Sequence, residues 1–320
     1  MTYTRKQAID IMNHWGSRQI PFFFIIDFEM ESIRVFSTDA VPSAISFAFR
    51  AAPPPKFNGE YSFLKYPITF SHYEKAFSEV KEQILCGNSF LLNLTFATPI
   101  ETNLTLPEIY ANSYAKYKLL VDQEFVCFSP ETFVTISKGL IASYPMKGTI
   151  KASEPEARKK ILQNPKEIAE HHTIVDLIHN DLSMVTTNVT VNNFRYIDTI
   201  ATNAGEILQV SSKIVGKLPE NYRENIGSII FTLLPAGSVT GAPKTKAVSI
   251  IGTVEKEKRG YYTGVCGIFD GSNLDSAVMI RFIECHENTL IFRSGGGITC
   301  NSNMVTEYNE LTDKVYVPIV

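Results

Sequence analysis

The chain has 320 residues, a net charge of −3 and a pI near 6.1, with 44% apolar and 20% charged residues. This is the profile of a water-exposed globular protein of one or two domains with a large core, and it excludes a general nucleic-acid binder, which carries a basic face. The cysteines, Cys86, Cys127, Cys266, Cys285 and Cys300, are odd in number and contain no C-x-x-C pair, which argues against a disulfide framework or a zinc site and for a reducing compartment.

The N-terminal MTYTRKQAIDIMNHWGSRQI reads as a short amphipathic helix rather than a signal peptide. The apolar run FFFII is too short to span a bilayer. A cytoplasmic protein with no membrane or nucleic-acid partner is therefore expected. The hairpin signal IPFFFIIDFEMESIRVFS (20–37) is followed by the one proline-rich stretch, AAPPPKFNGEY (51–61), which separates a small leading unit from the remainder. Next, SHYEKAFSEVKEQILCGN predicts a helix with a capping box at Ser71 and Glu74 and an end at Gly87. SFLLNLTFATPI and EFVCFSPETFVTI read as strands. SEPEARKKILQ repeats the capping box at Ser153 and Glu156, and NPKEIAEHHTIVDLIHND has Asn164 as N-cap and Pro165 at the first helical position. TGAPKTKAVSIIGTVEKEKR places Pro243 near another helix start. YTGVCGIFD, SAVMIRFIEC and TLIFRSG suggest an antiparallel meander, and MVTEYNELTDKVY a last helix. There is no strict βαβ rhythm. The expected fold is α+β, with large antiparallel β-sheets and surrounding helices in a single intertwined domain over 1–320. Its N-terminal β-hairpin region, 1–60, packs onto a 70–320 core.

Several stretches carry chemistry. Glu167 and Glu170, and again Glu307 and Glu310, are three apart on predicted helices and so share a face. Such pairs are ordinarily solvated surface, but one glutamate from each helix would suit a hard cation such as Mg²⁺. His171 and His172 lack an H-E-x-x-H pattern, so zinc is the weaker choice. RSGGGITCNSN (293–303) reads as a glycine turn between a strand and a helix, a backbone cradle for an anion. LLPAGSVTGAPKTK (233–246) fails the P-loop pattern, yet sets Thr240, Gly241 and Lys244 around a helix start. Lys147, in SYPMKGT, could be a solvated loop cation, an anion anchor or a nucleophile. Glu131, in SPETF, lies across a strand-turn-strand from it, and the two could form a salt bridge or act as general acid and nucleophile.

Taken in order over residues 70–320, SPETF, PMKGT, KEIAEHHTIVDLIHND, PAGSVTGAPK, RGYYTGVCGIFD, AVMIRF, SGGGIT and EYNELTDK resemble the chorismate-utilising enzymes. Within them the chain is similar to the branch that aminates chorismate, in a short form lacking most of the N-terminal extension that carries the tryptophan site of longer relatives. The resemblance implies that the 4-hydroxyl of chorismate is replaced by ammonia from a separate glutamine amidotransferase subunit. The product, 4-amino-4-deoxychorismate, leads to p-aminobenzoate and folate. It implies Lys147 as the nucleophile that adds to C2, where anthranilate-forming relatives have a small residue, and Glu131 as the acid that protonates the departing hydroxyl. It implies Mg²⁺ on Glu170 and Glu310, with Glu167 and Glu307 partly through water. Tyr262, Arg281, Thr240, Gly241, Lys314 and the Gly296–Gly297 amides would orient the carboxylates of chorismate. Leu91 replaces a glutamine or a water-activating lysine of relatives, and Gln209 a histidine linked to pyruvate release. Two other readings stand beside this one: an enzyme forming anthranilate or isochorismate, and a catalytically idle chorismate-binding subunit. Residues 147, 91 and 209 speak against the first, and the full set of expected catalytic residues against the second.

Overall fold

The computed structural model describes residues 2–202, 205–287 and 289–320. In chain order its helices and strands are α1 (Arg5–Ser17), β1 (Phe22–Ile26), β2 (Ile33–Ser37), β3 (Ile45–Phe49), β4 (Phe63–Lys65), α2 (Phe70–Leu85), β5 (Leu91–Thr102), α3 (Leu106–Asn112), β6 (Tyr117–Val121), β7 (Phe125–Ser129), β8 (Thr132–Ser137), β9 (Leu140–Ser143) and β10 (Met146–Lys151). There follow α4 (Ala157–Gln163), α5 (Pro165–Ser183), β11 (Thr187–Thr202), β12 (Gly205–Lys217), α6 (Ile226–Leu233), β13 (Gly241–Ala242), α7 (Lys244–Val254), β14 (Val265–Phe269), β15 (Leu274–Val278), β16 (Phe282–His286), β17 (Thr289–Thr299) and α8 (Met304–Asp313).

The strands form two large antiparallel sheets, as expected of the α+β class. The first runs β10-β12-β9-β8-β15-β14-β1-β2, with β11 paired to β12; the second runs β13-β5-β17-β16-β7-β6-β3, with β4 paired to β5. Strand β1 shows how sequence makes the layers. All five of its residues are buried, and alternation sends Phe22, Phe24 and Ile26 toward helices α1, α5 and α6. Phe23 and Ile25 point the other way, between the sheets, among Phe47, Phe125 and Phe282. On the far side, Tyr73, Val80, Ile251 and Leu311 of α2, α7 and α8 cover Leu92, Leu94 and Ile298 of the second sheet. The predicted N-terminal hairpin is β1–β2, an edge of the first sheet, whereas β3 is an edge of the second. The leading segment is thus woven into both sheets. No described helix is long and apolar enough to cross a membrane.

Three local expectations are corrected. Helix α2 is capped by Thr69, whose side chain accepts from the His72 amide, not by Ser71 with Glu74. Helix α4 starts only at Ala157, because Glu156 adopts a left-handed φ of 55°, so Ser153 and Glu156 form no capping box. The meander is broken: β14 pairs with β15 in the first sheet, but the chain then crosses to the second, where β16 pairs with β17. EFVCFSPETFVTI crosses in the opposite direction, from β7 to β8. The two crossings lie side by side. The Phe128 amide donates to the Arg281 carbonyl at 3.1 Å and the Val278 amide to the Glu131 carbonyl at 3.2 Å. Glu131 and Arg281, the latter with a φ of +56°, therefore stand at adjacent corners where the chain changes sheets.

Candidate active site

Strand β10 carries Lys147. Its register against β12 shifts between Met146 and Thr149, and Gly148 takes a φ of +84°, which only glycine adopts at little cost. Such a bulge re-aims a side chain. Lys147 Nζ lies 3.9 Å from Glu170 Oε2. A Cβ on Gly297 would come within 3.3 Å of Nζ and 3.0 Å of Leu91 Cδ1, and one on Gly148 within 3.3 Å of Glu167 Oε2. The amine thus sits between a carboxylate and a strand floor that glycine and a buried leucine keep apolar.

The glycines are not a turn before a helix. Gly295, Gly296 and Gly297 lie inside β17, opposite Thr95, Leu94 and Asn93 of β5. Strand β16 pairs with β17 only up to Phe282 and Arg293, so beyond that point one edge of β17 is open. The Gly295 carbonyl accepts from Lys314 Nζ at 2.8 Å on that edge. Across the ladder the Thr95 and Asn93 amides turn away from β17, to Glu255 Oε1 and the Thr240 carbonyl. By alternation the Gly297 amide faces the open edge and the Gly296 amide faces β5. Gly296 contributes clearance instead: a Cβ there would stand 3.8 Å from both Glu307 Oε2 and Lys314 Nζ.

Helices α5 and α8 bring the glutamates. Asn164 caps α5 by accepting from the Lys166 and Glu167 amides, as expected. Lys166 Nζ donates to Glu307 Oε1 at 2.6 Å and lies 3.7 Å from Glu170 Oε1, while Lys314 Nζ meets Glu310 Oε1 at 2.7 Å. Glu170 and Glu307 are buried and Glu310 is half exposed. Burial pushes the Glu167 and Glu170 carboxyls above their ordinary range, and Lys147 and Lys166 pull the other way. Among the described residues no three Asp, Glu, His or Cys side chains converge as a ready ligand set. The donor chemistry nonetheless suits a hard cation: Glu170 Oε1 is buried and has no hydrogen-bond partner among the described residues, beside carboxylates whose desolvation calls for positive charge.

Glu131 faces this group from the crossing. Burial raises its carboxyl above the ordinary value; a hydrogen bond from Ser238 Oγ, then Lys147, Arg281 and Lys116, oppose that rise. Arg281 and Lys314 line an open cleft of about 420 Å³ together with Thr306, Asn309, Glu310 and Tyr316. Tyr262 is buried against Phe282, with ring centroids 6.0 Å apart, and burial pushes its phenol well up. Thr240 is fully buried and its hydroxyl donates to the Ala236 carbonyl. Gly241 is glycine because β5 runs against it: a Cβ would collide with the Leu91 carbonyl. Lys244 is no free anion anchor, since its Nζ meets Asp181 Oδ2 at 2.7 Å and the Leu233 carbonyl at 2.9 Å. Gln209, on β12, pairs with Thr149 of β10 and Asp198 of β11, and among the described residues its buried Oε1 has no partner.

Lys147, Glu131, Glu167, Glu170, Glu307, Glu310, Arg281, Lys314 and Gly297 therefore share one neighbourhood, whereas Thr240 and Gly241 lie in the packing beneath it. Sequence reasoning passed over Lys166, Ser238 and Arg259. Each stands inside a quoted motif, but nothing in a linear string pairs Ser238 with Glu131.

Comparison with known proteins places the chain in a family. The profile of the family described as chorismate binding enzyme matches residues 37–319. The chain is 50% identical over 323 residues to an uncharacterized PabA-like protein of Haemophilus influenzae, spanning 99% of this chain and 98% of that one. It is 31% identical over 265 residues to aminodeoxychorismate synthase component 1 of Bacillus subtilis, spanning 78% of this chain and 55% of that one. In fold it is similar to the menaquinone-specific isochorismate synthase of Escherichia coli, with a TM-score of 0.74 at 14% identity over 98% of this chain and 82% of that chain. The chain belongs to the family of chorismate-binding enzymes.

Proposed function

We propose that the chain is an aminodeoxychorismate synthase component 1, which replaces the 4-hydroxyl of chorismate with ammonia from a separate glutamine amidotransferase subunit. The observation that carries this reading is the placement of Lys147: a bulge and two glycines aim its amine into a carboxylate-lined site that Glu131 also faces. A solvated loop lysine has no need of such a setting.

In this reading Lys147 Nζ, once it has lost its proton, bonds to C2. The ring double bonds shift, the C4–O bond breaks, and the oxygen departs as water with the proton of Glu131. Ammonia then bonds to C4, the electrons shift back, and the C2–N bond breaks. The adduct nitrogen returns its extra proton to Glu131, and on departure it takes a proton from the incoming nitrogen, so that both the neutral lysine and the acid are restored. The raised carboxyl of Glu131 fits an acid that must hold its proton until the C4–O bond breaks. Arg281, Lys314 and the Gly297 amide supply donors for carboxylates at the cleft. Glu170 and Glu310, with Glu167 and Glu307, would hold Mg²⁺, which when bound supplies positive charge to a ring carboxylate and offsets the negative field of these glutamates. Leu91, buried where a water-activating group would have to stand, disfavours hydroxylation at C2.

The test is product identity. Purified chain is incubated with chorismate, Mg²⁺ and an ammonium salt, and the product is identified by mass and by its response to an added lyase. Aminodeoxychorismate is expected. Anthranilate, isochorismate or unchanged chorismate would overturn the proposal.

A further inference from the structure

Ser238 has a defined place beside the acid of the proposed reaction. It stands on a single 3-10 turn, Gly237–Val239, between α6 and β13. Its Oγ donates to Glu131 Oε1. We propose that Ser238 is a positioning residue: by engaging Oε1 it assigns the proton of Glu131 to Oε2, making that oxygen the one that delivers it to the leaving hydroxyl. This rests on the reading of Glu131 as the acid.

The geometry on both sides of this hydrogen bond is fixed. On one side, Gly237 lets the turn lie against α5: a Cβ there would stand 2.8 Å from Asp181 Oδ2 and 3.1 Å from Leu177. Asp181 is itself tied at 2.7 Å to Lys244, whose Nζ also holds the Leu233 carbonyl that closes α6. After Ser238, the Val239 carbonyl accepts from the buried Arg259 Nη1 at 2.7 Å, and the Thr240 amide donates back to the Gly237 carbonyl at 3.2 Å. Both neighbours of Ser238 are pinned, so its hydroxyl has little freedom beyond rotation about its own side chain. On the other side, the Glu131 amide donates to Ser129 Oγ at 3.0 Å and its carbonyl accepts from Val278. The two side chains share a cavity of about 20 Å³, which Asp181 and Tyr144 also line.

The chemistry follows from the direction of the bond. A carboxyl oxygen that accepts from a neutral hydroxyl behaves as the carbonyl oxygen of the acid, and the proton takes the other one. After the proton has gone, the same hydroxyl stabilises the carboxylate, so it also limits how weak an acid burial can make Glu131. The remaining charged groups facing Glu131 are Lys147 from β10, Arg281 from the neighbouring crossing, Lys116 just before β6, and Asp181 from α5. The three cations favour its ionised form, and the hydrogen bond to Oε1 comes from Ser238.

The test is the pH dependence of amination in Ser238→Ala, with Ser238→Thr as the conservative variant and Glu131→Gln as reference. Activity depends on protonated Glu131 and falls as pH rises through its pKa. Losing a hydrogen bond to the charged form raises that pKa, so the descending limb of kcat in Ser238→Ala should move up by about one pH unit. Its plateau should fall roughly tenfold, because a weaker and less well-oriented acid transfers its proton more slowly. KM for chorismate should stay within about twofold, and Ser238→Thr should restore both limb and plateau. Should Ser238→Ala fail to fold, Ser238→Cys replaces it, with a smaller shift in the same direction. A limb that stays in place while Glu131→Gln abolishes it overturns the role of Ser238 and spares that of Glu131. A limb that survives in Glu131→Gln overturns both.

Discussion

Arg259 gives the most quantitative test of how the site is held. Its side chain is 2% exposed and clamps Glu255, 5% exposed, through Nε–Oε2 at 2.8 Å and Nη2–Oε1 at 2.6 Å. It also donates to the carbonyls of Val239 and Asn93, both at 2.7 Å, and lies over the Phe28 ring at 4.6 Å. Glu255 in turn accepts from the Thr95 amide. One guanidinium therefore joins the turn bearing Ser238 to the strand beneath the glycine floor. Arg259→Met removes the cation and leaves a buried carboxylate uncompensated, a loss of roughly 3–5 kcal/mol for a pair of this kind. The two carbonyls left without donors add about 1 kcal/mol each at the low end. The terms share a site and are not additive, so about 4–6 kcal/mol is expected in all. At roughly 1.5 °C per kcal/mol for a chain of this length, the melting temperature should fall by about 6–9 °C. The double variant Arg259→Met/Glu255→Met buries no lone charge and should regain roughly half of the loss. Scanning calorimetry and urea unfolding would measure both. A single variant that loses less than about 1 kcal/mol, or a double variant less stable than the single, would refute the reasoning.

Four further outcomes are expected. Lys147→Ala should slow amination by roughly 10⁴-fold or more with the melting temperature little changed, and undiminished turnover would remove the lysine from the mechanism. Glu131→Gln should cost roughly 10²–10⁴-fold in kcat and remove the loss of activity that wild type shows as pH rises through the raised Glu131 pKa; a retained descending limb would assign it to another group. Gly297→Ala places a methyl against Leu91 and Lys147 Nζ, and should lower kcat about 10²-fold through misplacement of the amine; wild-type kinetics would show that the floor tolerates it. Glu310→Gln should weaken Mg²⁺ binding about tenfold in a calorimetric titration without substrate, and an unchanged isotherm would take Glu310 out of the metal site.

The sequence made the architecture and the chemical cast legible, but less of the arrangement. Helix α5 could be read because Asn164, Pro165 and Glu167 are local signals, each acting within one turn. The β1–β2 hairpin was readable for the same reason. The sheet crossings were not, because SAVMIRFIEC and EFVCFSPETFVTI each read as mostly apolar strand on both sides of a short polar interruption, with the same pattern whichever sheet each half joins. Nothing local marks where a strand leaves one sheet for the other, yet those points carry Arg281 and Glu131. The glycine run misled for a related reason. Three glycines resemble a turn unless the neighbouring strand is known, and β5 holds them extended. Lys244 looked like an anion anchor because its partner, Asp181, lies 63 positions earlier in the chain. Ionic pairing across such separations is a property of the fold and leaves no periodic trace.

The most direct test of the central claim is the mass of the intact protein mixed rapidly with chorismate and Mg²⁺ in the absence of ammonia. Without the second nucleophile the lysine adduct should accumulate, adding the mass of chorismate less one water, and peptide mapping should place it on Lys147. The adduct should vanish when an ammonium salt is added, as aminodeoxychorismate appears. An unmodified chain in a preparation that aminates chorismate at full rate would contradict covalent catalysis by Lys147.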